Sequence, residues 1–198
     1  MTERPILFSA EMVRAILDGR KTQTRRVMKV QPEHTPAVEL TPGGQVWAIW
    51  PSDIPSPEGK DAERFCACPY GLPGDRLWVR ETWAIDVAEM PPIDANGNPT
   101  CREVFMYRAD GDEGIYKWSP SIFMPREASR ITLEVVKVRA ERVQDISEAD
   151  IAAEGVSAIG VMPRWAFHEL WDAINGKRAP WDSNPWVWVI EFKRISNP

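Results

Sequence analysis

One stretch constrains what this chain can fold into more than any other. RITLEVVKVRAERV, Arg130–Val143, is β-branched and alternates apolar with polar residues along most of its length. That period of two is the mark of a half-buried strand, and here it is a long one. Other segments read the same way. PGDRLWVRETW, Pro73–Trp83, makes a tight turn at Gly74-Asp75 and then alternates, with Leu77 and Val79 on one side and Trp78 and Arg80 on the other. PILF, Pro5–Phe8, is a short strand near the start, and NPWVWVIEFKRI is a terminal strand at the close.

Helices sit between the strands. Ser9 is placed to cap AEMVRAILD, with Glu11 in the favourable first turn, Met12, Val13, Ile16 and Leu17 on one apolar face, and Gly19 as the stop. SEADIAAEGV repeats the grammar, with Ser147 as cap, acids in the first turn and Gly155 as stop. PRWAFHELWDAI, Pro163–Ile174, starts on proline and is expected to turn Trp165, His168, Leu170, Trp171 and Ile174 inward. Gln31 to Pro69 is rich in Pro, Gly and acids around one strand-like island, VWAIW, Val46–Trp50. Residues 88–125 form a long excursion with a short strand, VFMY. Its DANGNP resembles a calcium loop only in outline, since Pro99 takes the glycine position and Phe105 that of the bidentate glutamate. Nothing repeats and no linker separates domains. The pattern predicts one α+β domain over 1–198 whose strands curl into a small barrel.

Composition narrows the chemistry. The net charge of −5 gives no general affinity for nucleic acid, so such a role requires a local basic patch. Cations do cluster in 20–29 and 126–142, while acids collect in 86–114 and 145–154. No apolar run has the length of a bilayer span, and Glu3 and Arg4 precede only a short apolar stretch, so neither membrane anchor nor signal peptide is expected. Three cysteines, Cys66, Cys68 and Cys101, suit unbonded thiols in a reducing cytoplasm. Cys66-Ala-Cys68 lacks the spacing of a structural zinc site, and no metal or cofactor is expected. Walker, GxGxxG and GxSxG motifs are absent, which leaves nucleotide hydrolysis, dinucleotide binding and the hydrolase elbow without support. Of ten tryptophans, most are expected in the core or half-buried in strands, the rest as stacking faces.

The segment GRKTQTRR, Gly19–Arg26, follows the first helix stop. Lys21 and Thr24 are three apart, on one side of a turn or frayed helix. A threonine hydroxyl becomes a nucleophile when a base takes its proton, and a lysine amine is such a base once burial or neighbouring cations discharge it. Arg20, Arg25 and Arg26 are cations of that kind. The same residues equally suit an anion-gripping turn, or charges that merely end a helix. Glu154 ends a helix where the dipole disfavours a carboxylate, so a cationic partner is wanted. Glu81 is a second carboxylate that could reach a cleft, or else pair with Arg76, Arg80 or Arg126. His168 reads as core or half-buried, and His34 as a loop residue without a role.

Taken together, ILDGRKTQTRR, GDRLWVRETW, the long strand, AAEGV and the closing WVWVIEFKRI resemble the ASCH domain. The likeness is to the phage- and prophage-encoded members and covers nearly the whole chain, with 31–65 and 88–125 as insertions relative to the smallest domains. The resemblance implies a PUA-like β-barrel with short flanking helices and a cleft for RNA or a modified nucleoside. Some small members are amidohydrolases that deacetylate N4-acetylcytidine with a lysine, a threonine and a glutamate, which here match Lys21, Thr24 and Glu154. Arg25 stands where those members tend to be apolar. Arg20, Arg25, Arg26, Arg126 and Glu81 are then expected around the substrate, with Trp78, Trp83 or Trp186 stacking its base. A non-catalytic RNA-binding module, or an accessory protein that meets a host protein through its insertions, is the alternative.

Overall fold

Extended chain dominates the computed structural model, which describes residues 1–40, 45–51, 63–87, 103–111, 114 and 116–195. Strand β1 (Glu3–Leu7) leads through helix α1 (Ala10–Leu17) to β2 (Gln23–Val27). Then come β3 (Ala37–Leu40), β4 (Val46–Pro51), β5 (Glu63–Ala67), β6 (Arg76–Arg80), β7 (Trp83–Val87) and β8 (Glu103–Tyr107). The long alternating segment is β9 (Thr132–Arg142), followed by α2 (Glu148–Ala153), α3 (Pro163–Asn175) and β10 (Trp186–Ile195). The main sheet runs β1-β6-β9-β10-β2, so β9 is its centre. Only β1 and β6 pair in parallel, with Pro5 opposite Trp78; the other pairs are antiparallel.

Local grammar explains the helices. The Met12 N–H donates to Ser9 Oγ at 3.4 Å and the Asp150 N–H to Ser147 Oγ at 3.1 Å, so both serines cap as their type demands. Helix α3 begins on Pro163. Its buried side is only partly the one expected, with Trp171 buried and His168 and Leu170 half-buried. Phe167 and Trp171, one turn apart, are the buried pair, while Trp165 and Ile174 are more than half exposed. Both apolar stripes satisfy helical periodicity, and contact with the sheet selects the one carrying Phe167. His168 is half-buried and stacks on Trp181 at 5.2 Å.

The sheet is covered on both faces. One face holds Ile6, Phe8, Leu77, Val135, Ile190 and Phe192 in a cluster that takes in Val13 and Ile16 of α1 and Val46, Ala48 and Trp50 of β4. The other packs Val187 and Val189 against Ile151, Phe167, Trp171 and Trp181. Strand β10 therefore reads as an uninterrupted buried run from Trp186 to Ile190, as a strand covered twice must.

The expected small barrel does not close among the described strands, because β1 and β2 remain the two edges of an open sheet. The sheet is curled all the same. Arg26, on one edge, donates to the Leu7 carbonyl on the other at 2.6 Å. VWAIW becomes the middle of a separate three-stranded sheet, β3-β4-β5, whose flanking strands the Pro- and Gly-rich composition concealed. Strands β7 and β8 pair as a hairpin-like ribbon. Cys66 and Cys68 are buried free thiols, and burial pushes Cys68 up to about 11. DANGNP, Cys101 and much of both expected insertions lie outside the described residues. No helix among the described residues is long and apolar enough to cross a membrane.

Candidate functional site

The chain leaves α1 and straightens towards β2, and Lys21 meets Glu154 there in an isolated antiparallel β-bridge. Backbone bonds fix the approach. The Lys21 N–H donates to Ala15 O at 2.9 Å and the Thr22 N–H to Ala153 O at 2.8 Å. Glu154 is the last residue of the α2 turn, and Gly155 follows at φ +75°, where a Cβ would lie 2.9 Å from the Cβ atoms of both Ala15 and Lys21. Glycine is thus what lets the end of α2 press against Lys21.

The Lys21 Nζ donates to Glu154 Oε2 at 2.7 Å and to the Glu154 carbonyl at 2.8 Å. The lysine side chain is fully buried and the glutamate 6 % exposed. One amine therefore answers both the carboxylate and the exposed carbonyl end of the helix. Burial lowers the Lys21 pKa from 10.5. Glu154 opposes the shift, and Arg26 and Arg25 add to it. The amine also lies 5.7 Å from the centre of the Phe8 ring.

Alternation along β2 sends its side chains two ways. Thr24 and Arg26 stand opposite Ile190 and Trp188 of the inner cluster, whereas Arg25 stands opposite Val189 of the outer one. Arg25 donates to Glu154 Oε1 at 3.1 Å, pairs with Asp150 at 3.2 Å and also with Glu141. Arg139 extends this belt to Glu141 and Asp150, both at 3.1 Å, and to Glu191. The Arg25 guanidinium is enclosed by three carboxylates, and so positions Glu154. The Lys21 amine likewise turns to Glu154 and not to Thr24.

Thr24 is 3 % exposed and lines a small hollow of about 60 Å³ with Glu154, Arg25, Arg26, Phe167 and Trp171. Because both faces of β2 contribute, the hollow runs along the free edge of that strand. Next to it opens a cleft of about 470 Å³ bordered by Arg14, Arg20 and Gly155. Met12, Glu154 and Leu170 wall both spaces, so Glu154 is their common partition. Arg20 is exposed at the cleft, 2.8 Å from Asp18.

The remaining candidates sit elsewhere. None of Trp78, Glu81, Trp83, Arg126 and Trp186 lines either space. Trp78 is buried beneath Arg80, 4.7 Å from its ring centre, with Arg126 at 5.9 Å, and Arg126 pairs with Glu3. Glu81 is held by Arg130 through two bonds of 2.9 and 3.1 Å. Burial raises its pKa and Arg130 opposes the rise. Trp83 packs with Met124 and Ala128, and Trp186 belongs to the inner cluster with Arg142 over its ring at 4.6 Å. Sequence reasoning read Met12 and Trp171 only as packing residues and did not name Phe167, which joins them in the walls, nor Phe8, whose ring lies by the Lys21 amine. The spacing of Phe167 and Trp171, four apart on one helix, was the available signal.

No family model matches this chain, and neither a curated protein nor a solved structure does.

Proposed function

We propose that this chain is a PUA-like, ASCH-type protein that binds RNA or a modified nucleoside and hydrolyses an amide such as that of N4-acetylcytidine. One observation carries the reading: a fully buried amine and a carboxylate 2.7 Å apart, with Thr24 on the wall of the hollow that the same carboxylate borders. A water-excluded lysine paired with a carboxylate that borders the same hollow as a hydroxyl supports nucleophilic acyl transfer.

In this scheme the neutral Lys21 amine takes the Thr24 proton as the Thr24 oxygen attacks the acetyl carbonyl. The C–N bond then breaks, and the proton passes by way of Lys21 and Glu154 to the departing cytosine amine. Water hydrolyses the resulting threonine ester and releases acetate. Arg26, on the wall of the hollow, steadies the oxyanion. The acetyl group is placed in the hollow of about 60 Å³ that Thr24 lines, the smaller of the two spaces Glu154 divides. The base then belongs in the adjoining cleft, with Arg20 at its mouth.

The test is to incubate purified protein with N4-acetylcytidine and follow release of cytidine. Wild type is expected to outpace Lys21→Ala by at least about 100-fold, the low end of a general base's contribution. Equal rates would leave only the non-catalytic alternative.

A further inference from the structure

A cleft of about 1040 Å³ opens beside the C-terminal end of α3, and the acyl-transfer scheme makes no use of it. Its walls carry four cations from three parts of the chain: Lys29 follows β2, Arg142 ends β9, and Lys177 and Arg178 follow α3. The whole chain has a net charge of −5, so this concentration runs against its composition. Lys177 and Arg178 alone are ordinary complements of a helix C-terminus, but Lys29 and Arg142 come from strand ends and have no such reason to be there. Lys29, Lys177 and Arg178 are exposed, and among the described residues they enter no ion pair. Arg142 lies over the Trp186 ring and donates to Asn184 O at 2.9 Å, which fixes the position of one charge. Among the described residues the one acid of the lining is Asp172, and it is already engaged. Its Oδ1 accepts the Trp181 N–H at 2.8 Å and its Oδ2 lies 3.2 Å from His168.

Between the cations the walls are apolar or uncharged, and among the described residues none of them is aromatic. A single strand of nucleic acid is held largely by bases stacked on aromatic rings, which these walls do not offer. They offer aliphatic side chains instead. Val27 is half-buried, and Ile174, on the stripe of α3 expected to turn inward, is 55 % exposed on this wall. Cations interleaved with aliphatic side chains complement a polypeptide whose carboxylates are interleaved with apolar residues. The volume stands at the upper end of small-molecule sites, and the charges reach it from separate elements, so an extended segment fills it better than a single small anion.

We infer that this cleft docks an acidic, partly apolar extended segment of a partner protein, its carboxylates meeting Lys29, Lys177 and Arg178 and its aliphatic side chains meeting Val27 and Ile174. The inference does not depend on the chemistry assigned to Lys21.

The experiment is fluorescence anisotropy with a short labelled peptide of alternating glutamate and leucine. Wild type is expected to bind it, with an affinity that falls as salt rises. The same peptide with serine in place of each leucine should bind at least about fivefold more weakly, for want of apolar contact. The combined variant Lys29→Gln, Lys177→Gln, Arg178→Gln changes only exposed side chains. It should bind the leucine peptide at least about tenfold more weakly, the joint effect of three exposed charge pairs. The combined variant Lys117→Gln, Lys137→Gln, Lys193→Gln makes the same change in net charge at exposed positions outside the cleft. It should bind within about twofold of wild type, since distant exposed charges are screened. No binding by wild type, an unaffected cleft variant, an equal loss in the outside variant, or equal binding of the serine peptide would each overturn the inference. So would displacement of the peptide by a single-stranded oligonucleotide of equal charge at a lower concentration than the unlabelled peptide needs, which would give the cleft to nucleic acid. Because no acetyl group is involved, docking can fail while acetylcytidine is turned over, and can persist when it is not.

Discussion

Lys21 is held by two oxygens of a single residue in a place water does not reach, and its proton affinity is set by the contest between them and burial. Burial prevails, aided by Arg26 and Arg25, so the amine loses its proton more readily than a free lysine at 10.5. The sign of the pH effect follows. Neutral amine accumulates as pH rises through the lowered value, and turnover rises with it and then levels. A rate profile of acetylcytidine hydrolysis should show that ascending limb below 10.5. A limb at or above the free-lysine value would remove Lys21 as the base. Stability shifts the same way: between the lowered value and 10.5 the unfolded chain binds a proton that the folded chain does not. The Lys21 contribution is therefore complete above 10.5 and is lost as pH falls through the folded value.

At the scale of elements, the site depends on how α2 stops. Gly155 carries a positive φ and leaves no room for a methyl group between Ala15 and Lys21. Gly155→Ala should cost about 1–3 kcal/mol, combining strain with overpacking, and should displace the bridge that positions Glu154. Thermal unfolding together with turnover checks this, with both expected to fall. The stop itself was legible, as were Ser9, Ser147 and Pro163, because caps are local chemistry. The partnership was not. That Glu154 lies against Lys21, 133 residues earlier, follows from the packing of α2 on β2, which no local pattern encodes. For the same reason Trp165 was expected inside and Phe167 went unnoticed: both lie on apolar stripes of α3, and only the sheet distinguishes them. Arg25 differs from its neighbours by one alternation. Read as a turn it joins the other cations, whereas in a strand it points to the opposite face from Arg26.

For the whole molecule, the decisive feature is a sheet that curls without closing. The long strand and its neighbours were evident from their period of two. Closure was not decidable, since it turns on whether β1 and β2 pair, and they are joined by an arginine instead of a ladder. Arg26 therefore acts as a clasp, donating to Leu7 O and lying 5.1 Å from the centre of the Phe8 ring. Arg26→Gln should lower stability by about 1.5–3 kcal/mol, the worth of a charge-assisted hydrogen bond, read as a lower urea midpoint. An unchanged midpoint would mean that the edges hold together without it.

The proposed reactive centre as a whole stands on the hydroxyl at position 24. The most direct measurement compares acetylcytidine hydrolysis by wild type, Thr24→Ser and Thr24→Ala, with folding of each verified by its melting temperature. Serine keeps the nucleophile and should retain turnover within about tenfold, whereas alanine should lose at least about 100-fold. A folded Thr24→Ala protein that hydrolyses the amide as fast as wild type would contradict the account.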